Sequence, residues 1–130
     1  QELLREFIQS ILYRILDEGR ESLFGKLLVR EYIEPTHALD QLIEDIIRPD
    51  YSILASIVRD LLGGHPKDEA IRLCSISIIS QCLYFVYAKP VLNKLFPQEN
   101  VIAKKEVADH IATFSLNAIK QFGKDSGGKK

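Results

Sequence analysis

Three histidines, two cysteines and a scatter of serines and carboxylates are the groups here that could carry chemistry. His37, His65 and His110 fall on three separate segments, with no i, i+4 pair among them and no Cys-x-x-Cys beside them. Zinc sites need ligands at short, recurring spacings. His110 with Cys74 or Cys82 is therefore a poor candidate, and surface or capping histidines are the simpler reading. No metal and no cofactor is expected. The serines lack the Gly-x-Ser-x-Gly elbow that exposes a nucleophile, and no glycine loop is built to cradle phosphate. Gly63-Gly64 reads as a turn, and Glu44-Asp45 as part of a solvated helical face. Nothing in these patterns supports an enzyme.

A stretch without charge carries more information. Residues 73 to 88, LCSISIISQCLYFVYA, hold no charged side chain over 16 positions and are bracketed by Arg72 and Lys89. A helix buried on one face only shows charge every third or fourth residue. This one does not, so its second face must also be covered. Gln81 and Tyr84, at i and i+3, share a side, and buried polar groups need partners. Convergent polar groups in an apolar setting describe a ligand site; bonds to nearby backbone or across a dimer axis satisfy them equally well. If the stretch is helical, Cys74 and Cys82 lie about 12 Å apart at about 1.5 Å per residue. That is too far for a disulfide, which favours a reduced, cytoplasmic protein. The run is also shorter than the roughly 20 residues that span a bilayer.

The elements that must position these residues read as helices throughout. A chain of 130 residues, 46% hydrophobic and 27% charged, suits one globular domain. Leu3, Leu4, Phe7, Ile8, Ile11, Leu12, Ile15 and Leu16 recur at helical spacing over roughly 1 to 17, and Gly19 marks the end. A second helix over about 21 to 33 points Leu23, Phe24, Leu27, Leu28 and Tyr32 inward, and Glu34-Pro35 stops it. Thr36 reads as an N-cap. The stripe Leu39, Leu42, Ile43, Ile46 and Ile47 follows, and Pro49 is expected to kink or break that helix. The stripe resumes at Tyr51, Leu54, Ile57, Val58, Leu61 and Leu62. Pro66 suits a first helical position, and a long helix runs from there to about Pro90, with a short continuation to Leu95. The last helix spans about 103 to 122. Its residues Ala108, Ala112, Ser115, Ile119 and Phe122, spaced 4-3-4-3, form a seam for a partner helix. Residues 123 to 130 are expected to be a disordered tail. No strand alternation and no internal repeat competes with this reading.

VREYIEPTHALD at 29 to 40, IIRPDY at 46 to 51, RLCSISIISQCLYFVYAKPV at 72 to 91 and ADHIATFSLNAI at 108 to 119 occur in that order. Together they resemble the C-terminal domain of TetR-family transcriptional repressors, in the CecR-like subgroup, over about residues 1 to 122. The resemblance implies an all-α fold: a TetR C-terminal-like helical bundle of about five or six helices, dimerising through its last two long helices. It implies an effector-binding and dimerisation domain at 1 to 122. The N-terminal helix-turn-helix domain is absent from this chain, which begins without methionine, so DNA is expected as a partner only through that missing domain. The net charge of -1 agrees, because binding to phosphates needs a basic surface.

The effector expected is small, hydrophobic and mainly uncharged. Phe7, Ile11, Phe24, Leu28, Tyr51 and Leu54 are its candidate apolar wall, Gln81 and Tyr84 its candidate polar contacts, and Arg30 the main charged exception. The homodimer would use the outer face of residues 66 to 90, where Ser75, Ser77, Ser80 and Ala88 permit close approach, together with Ala108, Ala112, Ser115, Ile119 and Phe122. The alternatives are an apolar-ligand binding protein with no DNA link and a stand-alone helical dimer module. A lipid-surface protein is disfavoured, because the amphipathic helices lack a basic face, and no membrane partner is expected.

Overall fold

A computed structural model describes residues 1–16, 20–99 and 103–127, apart from the side chains of 20–22 and 126–127. Helix α1 (Glu2–Leu16) buries Leu4, Ile8 and Leu12 completely, with Ile15 and Leu16 continuing the stripe. Residues four apart lie over one another on a helix, so these side chains form one ridge that enters the centre of the bundle. Helix α7 (Lys104–Gly127) lies beside α1, and Arg5 Nη1 meets Asp109 Oδ1 at 2.8 Å between them. Both side chains are well exposed, so the pair contributes at most about 1 kcal/mol. The position expected to end α1, Gly19, lies outside the described residues.

Helix α2 (Arg20–Ile33) approaches α1 through Gly25. A Cβ there would run into the carbonyl oxygen of Ile15. The buried edge of α2 is therefore Gly25, Leu28 and Val29, with Phe24 half-buried. Leu23 and Leu27, expected inward, are exposed, and Tyr32 is 42% exposed, with part of its ring turned in toward an apolar hollow of the bundle. The helix turns its narrow glycine edge to the core, and this swings the bulkier stripe outward.

Thr36 makes the next corner. Its hydroxyl accepts the Ala38 N–H at 3.1 Å, while its own N–H and hydroxyl donate to Glu31 Oε1 at 3.0 and 2.8 Å. The backbone N–H of Thr36, followed by its hydroxyl, holds the Glu31 carboxyl below the usual carboxylate range. Beyond it, α3 (Ala38–Leu42) passes through a π turn (Ile43–Ile47) straight into α4 (Arg48–Leu62). The helix neither breaks nor is cut at Pro49. Proline lacks the N–H for its turn and its ring crowds the carbonyl four residues back. The wider π turn immediately before it gives the ring room.

Gly63 and Gly64, at φ of 72° and 58°, end α4 in the left-handed region that only glycine enters cheaply. Helix α5 (Asp68–Tyr87) then starts two residues later than Pro66 would place it, behind an extended Lys67. Asp68 and Glu69 sit in its first turn, where the helix dipole favours negative charge. Short α6 (Lys89–Leu95) carries Pro90 in its first turn. Helix α7 continues to Gly127, past the expected boundary at Phe122, and residues 128 to 130 lie outside the described residues. A Cβ on Gly123 would sit 2.8 Å from the Leu62 oxygen, so the glycine lets this extension close on the end of α4.

The described residues contain no strand, and the all-α bundle expected from the sequence is the fold. Helix α5 contacts α1, α2, α4 and α7 through a face that buries Ile71, Cys74, Ser75, Ile78 and Cys82. Its length and composition alone would let it cross a membrane, but this inner face belongs to the core. The opposite face, with Leu73, Ile76, Tyr84 and Tyr87, is open.

Candidate functional site

Two apolar hollows flank α5. The inner one encloses about 60 Å³ between α1, α2, the π turn, α4 and α5. Its walls combine residues of the core stripes, Ile15, Leu28, Ile78 and Cys82, with half-buried neighbours beside them. Phe7, Ile11 and Ile15 project from α1; Phe24, Leu28 and Tyr32 from α2; Ile46 and Ile47 from the π turn; and Tyr51 from α4. Helix α5 closes the last side with Ile78, Ile79, Cys82 and Leu83. Burial pushes the Cys82 thiol up to about 12, so it is a neutral wall group.

Charge enters this hollow at one corner. Arg14 Nη2 donates to Asp50 Oδ2 at 2.9 Å, joining α1 to α4. Arg14 Nε is buried with no hydrogen-bond partner. Beside the pair, burial foremost and then the Asp50 carboxylate push the Tyr32 hydroxyl above its ordinary value, so it stays protonated.

Of the expected wall residues, Phe7, Ile11, Phe24, Leu28 and Tyr51 come together here. Leu54 is fully buried in the core and does not reach the hollow. Arg30 is exposed and lines neither hollow. Five residues on from Gly25 at about 100° each, it lies well round the helix from the buried edge. Gln81 and Tyr84 are also absent from the inner hollow: Gln81 lines the outer one, and Tyr84 is exposed, its ring edge-on to Tyr87 at 5.3 Å. The sequence reading missed Arg14, Asp50 and Tyr32. A signal for Arg14 was present, because Phe7, Ile11 and Arg14 follow the i, i+4, i+7 spacing of a single helical face.

The outer hollow, about 420 Å³, lies between α5 and α7. Ala70, Leu73, Ser77 and Gln81 form one bank, with Lys67 and Glu69 at its start, and Phe114, Ala118 and Phe122 form the other. Leu73, Phe114 and Phe122 are 54%, 60% and 52% exposed. Gln81 Nε2 reaches across the groove to Ser115 Oγ at 3.2 Å and back to the Ser77 carbonyl at 3.4 Å. Ile78 lines both hollows.

The residues assigned to a partner seam divide. Ala108, Ala112, Ser115 and Ile119 are buried within the chain, on the side of α7 where α1, α4 and α5 pack. The seam at Ala108 and Ala112 is filled from inside, while Ser115 and Ile119, though buried, also form part of the floor of the outer hollow. Ser75 is fully buried, its hydroxyl donating to the Ile71 carbonyl at 2.7 Å, and Ala88 is buried too. Only Ser80, Ser77 and Phe122 of that set lie on the outside. Phe114, which the sequence reading did not select, is the more exposed of the two outward phenylalanines on α7. Among the described residues, no three His, Cys, Asp or Glu groups come together in a set that could hold a metal ion.

Residues 1–119 match the family described as HTH-type transcriptional dual regulator CecR, C-terminal domain. No curated protein and no solved structure matches the chain.

Proposed function

Since this chain belongs to the family of CecR C-terminal domains, we propose that it is the sensing and dimerising part of a helix-turn-helix transcriptional regulator. A small hydrophobic effector enters the inner hollow, a second copy covers the outer face of α5 and α7, and DNA is read by a domain preceding these residues in the full protein. The chain performs no chemistry; it transmits occupancy. The observation that carries this reading is the inner hollow itself, walled by five elements and lined almost wholly by apolar side chains.

The hollow's size gives the mechanism. At about 60 Å³ it falls well short of the roughly 300–1,000 Å³ of typical ligand clefts. An effector must therefore part the walls. The π turn Ile43–Ile47 is the irregular wall, and π turns are frequent at functional sites. A ligand biases a conformational equilibrium only through its differential affinity for the two states. Here the wider state binds it and the narrow one does not. Transmitted to paired DNA readers, a change in their separation alters the match to operator half-sites.

Native mass spectrometry with a filled-hollow variant tests this reading. The parent protein is expected as two chains retaining an apolar small molecule after extraction from cells. Ile11→Trp is expected as two chains with none. A parent protein that stays a monomer at micromolar concentration overturns the dimer; equal retention by Ile11→Trp overturns the inner hollow as the site. The same small volume favours one rival, a dimerisation module that takes no ligand, and a bare dimer from both proteins is its signature.

A further inference from the structure

We infer that the inner hollow selects an uncharged molecule with an apolar body and a hydrogen-bond-accepting head, such as a ketone, amide or ester, and that Arg14 recognises the head. This inference rests on the inner hollow being the effector site.

The polar groups of the hollow are gathered at one corner, and their charges cancel. Arg14 gives one N–H to Asp50 at 2.9 Å and keeps its Nε atom buried and unpartnered, while the two side chains as a whole stay 40% and 29% exposed at the rim of the hollow. A buried donor without an acceptor is a standing cost to the fold. In this structure Nε meets no acceptor. When the walls part, a carbonyl oxygen entering the hollow on the Arg14 side can take that hydrogen. A carboxylate gains Arg14 but meets Asp50, and an ammonium gains Asp50 but meets Arg14. A neutral acceptor suffers neither repulsion and carries no ion's desolvation cost into an apolar cavity. Tyr32, kept protonated at the same corner, offers a further hydroxyl. The rest of the wall asks only for hydrocarbon.

Four probes of one shape test this: 2-acetylnaphthalene, 2-naphthoate, 2-naphthylmethylammonium and 2-ethylnaphthalene, each titrated by NMR into the protein. The expected result is 2-acetylnaphthalene binding about tenfold more tightly than any of the others, the scale of one added hydrogen bond. Arg14→Met is expected to close the gap between the acetyl and ethyl probes. Asp50→Asn is expected to move the preference toward 2-naphthoate, and it keeps the test alive if Arg14→Met fails to fold. Equal binding of the acetyl and ethyl probes overturns the role of Arg14 while leaving the hollow as a site. Tightest binding of 2-naphthoate to the parent protein overturns the charge cancellation. Binding of none of the four overturns both this inference and the effector hollow it rests on.

Discussion

The two sides of α5 differ in kind. The inner side faces a small hollow of branched and aromatic walls with a charge pair at its corner, closed by four other elements of the same chain. The outer side faces a groove seven times larger by volume, 420 against 60 Å³, more open to solvent, banked by small residues and exposed rings with Lys67 and Glu69 along it, and crossed by a neutral Gln81–Ser115 hydrogen bond. Enclosure with a fixed polar corner suits a small molecule, which needs its whole surface covered. A long open groove with protruding rings suits a surface that brings its own side chains, and exposed apolar area of this kind marks a contact site. One helix can border both because its charge-free run leaves neither side committed to water.

Ile78 is where the comparison breaks most severely. It is 2% exposed and lines both hollows. Ile78→Ala is expected to cost about 2–5 kcal/mol, as large-to-small core changes do, read as a lower urea midpoint. Phe114→Asp attacks the outer side alone. It is expected to weaken self-association by about 2 kcal/mol or more in sedimentation, while the monomer's own stability moves by only about 0.5 kcal/mol. A collapse of the fold would instead place Phe114 in the core. Gly25→Ala strikes the inner side through its frame. The new Cβ meets backbone rather than a yielding side-chain tip, and a loss of about 1–3 kcal/mol is expected in thermal unfolding.

Gln81→Leu sharpens the contrast more gently. It removes a neutral hydrogen bond worth about 1 kcal/mol from the outer groove, so sedimentation should change while 2-acetylnaphthalene titrations do not. A changed titration would return Gln81 to the inner site. A last contrast is that of alkali, which acts on the inner side alone. The Cys82 thiol titrates near 12 when folded and at its ordinary 9.0 when unfolded. The folded state therefore keeps a proton that the unfolded state gives up between those values, and stability falls as pH rises through that window. Iodoacetamide at pH about 9 should label Cys82 in urea and spare it in the native protein, since the thiolate is the reactive form.

Helix positions were legible in the sequence because periodicity is a local property. Leu4, Ile8 and Leu12 could be placed inward without knowing what they touch, and five of the hollow's wall residues followed from the same stripes. Errors arose where a pattern specifies closeness but not the neighbour. The spacing of Ala108, Ala112, Ser115 and Ile119 says that a helix packs tightly there, and it reads the same whether that helix belongs to this chain or another. Gly25 adds nothing to an apolar count, so the true inner edge of α2 was invisible beside Leu23 and Leu27. Arg14 and Asp50, 36 residues apart, each look like an ordinary solvated charge until the fold sets them 2.9 Å apart. Pro49 announced a disturbance correctly, but the sequence could not tell a break from a widened turn.

The partition at Ile78 is one side chain thick, and that gives the molecule a property of dosage. Ile78 lines both hollows, so on the proposed reading a ligand on one side of α5 and a second copy on the other would press on the same residue. If each favours its own setting of that helix, the two binding equilibria are linked, and linkage is reciprocal. Effector potency then depends on how much of the protein a cell holds. Near the concentration where copies separate, the dose needed for half response shifts with expression level, so the amount of the sensor becomes part of the signal it reports.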